Sequence, residues 1–130
     1  MLSDSDVRRI IDAALAASKA SETEVTIFEG DTALTRFANN EIHQNVAESD
    51  ASLVVRVAVG KKVGVASLNR ADEAGARHAV ERAMELARFQ VENADYAGMP
   101  GAVPAQSVNG VARGTLDCGP QGRARGVEAV

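Results

Sequence analysis

Glycine and proline are spread so unevenly along this chain that they divide it in two. All three prolines (Pro100, Pro104, Pro120) and seven of the eleven glycines (Gly98, Gly101, Gly110, Gly114, Gly119, Gly122, Gly126) lie beyond residue 96. Glycine loses the most backbone entropy on folding and proline has no backbone donor, so this stretch cannot sustain a long regular element. Residues 1–96 are therefore expected to form the ordered domain, and residues 97–130 a linker and the start of a truncated following helix. From Pro120 to Val130 the sequence opens like a helix, with proline near the first turn and Val127, Ala129 and Val130 as apolar residues. It stops after roughly two turns, too few to be stable without packing.

Composition narrows the classes of partner. The chain has 130 residues, 45% of them apolar and 25% charged, which suits one globular domain. Aromatic residues are only 3%, so the core must be built from Val, Ile, Leu and Ala. No stacking platform for single-stranded nucleic acid is available. The net charge of -4 argues against a nucleic-acid backbone as the main partner. No apolar run approaches the roughly 20 residues that span a bilayer, so no membrane partner is expected. The charge order at the N-terminus, Asp4 and Asp6 before Arg8 and Arg9, is wrong for a secretory signal. Cys118 is the single cysteine and allows no internal disulfide; a cytoplasmic location is expected.

Periodicity supplies the elements. Val7, Ile10, Ile11, Ala14 and Leu15 form a helical stripe over residues 4–18, with Ser3 or Ser5 placed to accept from the opening amides. Short alternating runs follow at residues 24–28, 33–38, 41–48, 53–59 and 62–67. Glu29-Gly30-Asp31 is read as a turn between the first two, Asn39-Asn40 as a two-residue hairpin loop, and Gly60-Lys61 as a second. Gly64, inside the last run, suggests a bulge. A second helix is expected over residues 70–89, with Ala76, Ala79, Val80, Ala83, Met84 and Ala87 on its apolar stripe. The fold class is α+β: a helix, an antiparallel meander of four to five strands, a helix, and a Gly/Pro-rich tail.

The chemistry available is sparse. His43 and His78 do not form the i, i+4 pair of a zinc-binding helix, and no HExxH or HExxxH is present. Gly60-Lys61-Lys62-Val63-Gly64 lacks the spacing of a phosphate loop and precedes a strand rather than a helix. Glu41, Glu48 and Asp50 read as a solvated strand face. No catalytic, metal or cofactor-binding residue is therefore assigned. The unusual stretch is Thr35 to Asn45, dominated by side chains that donate or accept hydrogen bonds. It reads either as an exposed hairpin or as a surface where Arg36, Asn39, Asn40 and Gln44 contact an extended peptide or partner chain added at a sheet edge.

The segment Thr35-Arg36-Phe37-Ala38-Asn39-Asn40-Glu41-Ile42-His43-Gln44 closely resembles an element near the start of the TldD/PmbA family, once called modulators of DNA gyrase. The resemblance extends through Leu53 to Ser67 and into the helix from Ala79 to Arg88, similar to that family's A-x-x-x-A-R helix. Met99-Pro100 and Gly119-Pro120 are similar to its passage between two halves. The resemblance implies a cytoplasmic metallopeptidase or its inactive partner subunit, with zinc held by an HExxxH helix in the C-terminal half. For this chain it implies a non-catalytic N-terminal domain that aids dimerisation, with itself or a related subunit, and guidance of extended peptides. The alternative is a stand-alone protein- or peptide-binding module without the peptidase half.

Overall fold

The computed structural model describes residues 2–39 and 41–129. In chain order the elements are α1 (Asp4–Ala17), β1 (Glu22–Ala38), β2 (Glu41–Val59), β3 (Lys62–Leu68), α2 (Glu73–Phe89), α3 (Arg113–Leu116) and α4 (Pro120–Glu128). The three strands form one sheet in the order β1-β2-β3. The α+β class stands, with three strands in place of the expected four to five. The difference arises because the first two alternating runs are one strand, β1, and the next two are one strand, β2. Glu29-Gly30-Asp31 does not turn; Asp31 instead accepts a hydrogen bond from the Ser49 hydroxyl at 2.6 Å, across to β2. Polar residues there mark a strand exposed to water rather than a reversal of the chain.

The structure divides into two compact units, residues 1–30 with 50–101 and residues 31–49 with 102–130. In the first, α1 starts at a capping box. The Asp6 amide donates to Ser3 Oγ, and the Ser3 amide donates back to the Asp6 carboxylate. These bonds satisfy donors that a helix start leaves open. The Ser3 hydroxyl also donates to the Asp6 carboxylate at 2.6 Å, and this bond, followed by the one from the Ser3 amide, holds the Asp6 carboxyl below its ordinary value. The cap of α2 is Asp72, which accepts from the Gly75 amide at 2.7 Å.

Both helices bury the stripes their spacing defines. Ile10 and Ala14 of α1 and Ala76, Ala79, Val80, Ala83 and Ala87 of α2 pack with Leu53, Val55 and Val57 of β2. Leu15 and Val59, at the ends of their stripes, stay exposed. The β2–β3 register runs unbroken from Leu53↔Leu68 through Val57↔Gly64 to Val59↔Lys62, so Gly64 is not a bulge. Its role is close approach. A Cβ there would lie 2.1 Å from the Ala83 carbonyl oxygen and 2.6 Å from the Ala87 nitrogen, so only glycine lets α2 lie this near β3. The loop between these strands is the expected two-residue turn, with Gly60 at φ 60°.

After α2 the chain is tied back to the sheet of the same unit. The Asn93 amide donates to the Lys61 carbonyl and Lys61 Nζ to the Ala94 carbonyl. Tyr96 OH donates to Glu22 at 2.6 Å, and the Met99 amide donates to both oxygens of that carboxylate at 3.3 Å. The hydrogen bond to Glu22 is the main reason the Tyr96 phenol holds its proton above its ordinary value. No helix among the described residues is long and apolar enough to cross a membrane.

Candidate functional site

The outer part of the β1–β2 hairpin, residues 31–49, belongs to the second unit and carries the polar segment singled out above. Only Thr35 and Val46 of its described residues are half-buried; the others are exposed. Exposure on this scale explains the composition: a strand largely open to water gains little from apolar alternation. Asn39 opens the turn with φ 51°, a left-handed conformation that asparagine tolerates better than most residues. Asn40, expected beside it, lies outside the described residues.

One face of this arm is organised by hydrogen bonds. Thr35 Oγ1 donates to Asn45 Oδ1 at 3.1 Å, and Ser49 donates to Asp31. The pairs step by four residues in opposite directions along the two strands, as antiparallel neighbours do. Onto this face α4 brings Arg123. Its Nε donates to Thr35 Oγ1 at 2.9 Å and its Nη2 to Asn45 Oδ1 at 3.1 Å, while Nη1 donates to the Cys118 carbonyl at 2.9 Å. Val127, one turn further along α4, is buried.

Because successive strand residues point to opposite faces, Arg36 and Gln44 lie on the face opposite Thr35 and Asn45. Both are exposed, and so are Leu34 and Ile42 on that same face. The structure thus brings Arg36 and Gln44 onto one open surface, with Asn39 at its tip. Sequence reasoning missed Arg123. Thr35 and Asn45 fell within the polar segment but were not singled out; nothing in the local sequence around Arg123 signals that it joins them.

The chemistry offered is recognition by hydrogen bonds. The edge strand β1 presents backbone donors and acceptors, and the open face adds a guanidinium and two amides, counting Asn39. His43 is engaged with the Ala38 carbonyl at 3.2 Å, and His78 is exposed on α2. Among the described residues no group of three His, Cys, Asp or Glu side chains is placed to hold a metal ion.

Two helices pack over one face of an antiparallel meander. Residues 23–87 match the family model described as PmbA/TldA metallopeptidase domain 1, and the chain belongs to that family. Among solved structures, TldE from Thermococcus kodakarensis matches with a TM-score of 0.68 and 16% identity, over 79% of this chain and 23% of that one. At that identity the likeness is one of fold. The chain thus spans less than a quarter of the length of that relative. No curated protein matches it.

Proposed function

We propose that this chain is the non-catalytic N-terminal domain of a TldD/PmbA-type zinc metallopeptidase or of its inactive partner subunit. In this role it contributes to dimerisation and guides extended peptides. The observation that carries the reading is the exposed edge strand β1 with Arg36, Asn39 and Gln44 on its hairpin, in a chain of this family. An extended peptide added to such an edge bonds through its main chain, and the guanidinium and amides fix its register. Asn40, outside the described residues, belongs to the same proposed set of contacts. Zinc and the HExxxH helix belong, in this reading, to the C-terminal half of the parent protein, where the bond is cleaved. The protein works in the cytoplasm, where a free thiol such as Cys118 stays reduced.

The test is fluorescence anisotropy with labelled unstructured peptides of about ten residues, long enough to pair with residues 31–38 of β1. Saturable binding by the native chain, weakened by Arg36→Ala with Gln44→Ala, is the expected outcome. Equal affinity in the double variant sinks the peptide-guiding role. Sedimentation equilibrium reads the dimer separately, as a particle of twice 13.6 kDa.

A further inference from the structure

Neither half of the second unit has the means to hold its shape alone. β3 pairs with β2 only between Leu53 and Val59, so the hairpin at residues 31–49 is a ribbon of two strands. A two-stranded hairpin is marginal in water unless something packs on it. The nine residues of α4 are fewer than an isolated helix needs. What joins them is narrow: Val127 is the buried side chain of α4, and Arg123 is its polar anchor. Between the arm and α3 lies a groove of 710 Å³ that includes Asp31, Ala47, Ser49, Leu116 and Cys118, so close packing does not seal the contact.

From this geometry we infer that the arm and α4 order each other, with Arg123 as the latch, so that α4 controls whether the face bearing Arg36 and Gln44 is presented as a strand. The guanidinium is suited to the task. Its three nitrogens reach Thr35 on β1, Asn45 on β2 and the carbonyl of Cys118 just before α4, tying both strands to the helix at once. A lysine, with one point of charge, cannot reproduce that fork. Coupling of this kind is reciprocal: whatever loosens the helix loosens the arm, and the reverse holds. Its consequence for peptide guidance rests on the function proposed above. A peptide bound to the open face stabilises α4 on the other, and release of α4 weakens the peptide.

Hydrogen exchange of the full chain, followed by mass spectrometry, tests the latch without any peptide. In Arg123→Ala the amides of residues 31–49 should exchange roughly tenfold faster or more, as loss of hydrogen bonds to a charged group predicts. Those of residues 53–58 and 76–87 should not change, because their core draws on first-unit residues alone. Thr35→Val keeps strand preference while removing an acceptor, and should speed exchange in residues 121–128. Unaltered protection of the arm in Arg123→Ala overturns the inference. So does an arm already unprotected in the native chain, or loss of protection spread through both units. If the exchange pattern appears and peptide affinity in Arg123→Ala equals that of the native chain, the mutual ordering stands and the control of the peptide face by α4 is overturned. The peptide-guiding role itself is read from Arg36→Ala with Gln44→Ala.

Discussion

Ten side chains from α1, α2 and β2 close over one another in the first unit, half of them alanines of which four lie on α2. In the second unit Val127 is the only buried side chain among the described residues, and a guanidinium does the joining. The contrast separates two ways of fixing a surface. The first unit holds its helices by approach so close that backbone meets backbone, a contact with little room to adjust. The second holds its hairpin by a few directional bonds beside an open groove, a contact that can form and break while the rest stays folded. Rigidity sits under the sheet, and conditional order sits where the candidate binding face lies.

The contrast breaks most sharply at Gly64. In Gly64→Ala the new methyl would meet the Ala83 carbonyl and the Ala87 amide, neither of which can swing aside as a side chain could. α2 must lift from β3, and the expected loss is about 3 kcal/mol or more, at the top of the usual range for overpacking. Urea unfolding followed by circular dichroism reads it. A loss below roughly 1 kcal/mol would mean the helix–sheet contact is as adjustable as the latch.

A smaller effect is expected at Asp72, the cap of α2. Its carboxyl is held below the ordinary value of 3.8, chiefly by the Gly75 amide and then by Arg70. A group whose folded-state pKa is depressed stabilises the fold above its unfolded value and loses that contribution as pH falls through the lower folded one. Acid titration below pH 4 should therefore weaken the first unit in part through this cap. Asp72→Ala should lower the thermal midpoint by a few degrees at neutral pH. Asp72→Asn keeps a good cap without the charge, so it should retain most of the neutral-pH stability and flatten the acid limb. An Asn variant as acid-sensitive as the native chain would place the dependence elsewhere.

The two units also differ in what their sequences disclose. The stripe of α2 was legible because alanines at helical spacing have one explanation in a chain so poor in aromatics, and burial of Ala76, Ala79, Ala83 and Ala87 follows it. Gly60 and Asn39 announced their turns through the left-handed backbone each accommodates. The continuity of β1 was not legible. Glu29-Gly30-Asp31 has the composition of a turn, yet it is strand exposed to solvent, and exposure and reversal draw on the same residues. Among the sites, the polar run from Thr35 to Asn45 was visible as a surface. Its organiser was not, since Arg123 lies 88 residues from Thr35 and 78 from Asn45, and no local pattern spans such separations.

The smallest expected change in stability is at Arg36 and Gln44, and its smallness is what sharpens the comparison. Both side chains are exposed on the arm face opposite Arg123, and no ion pair or hydrogen bond ties either of them in the described structure. Alanine at both positions should shift unfolding by no more than about 0.5 kcal/mol, because exposed polar substitutions away from caps and networks rarely do more. Hydrogen exchange in residues 31–49 should likewise stay at the native rate, in contrast to Arg123→Ala. A double variant that frees the arm would show that its outer face, as well as the latch, holds the hairpin in shape. The candidate contacts would then be structural members of the second unit. A double variant with native stability and native exchange leaves any loss of peptide affinity to recognition alone.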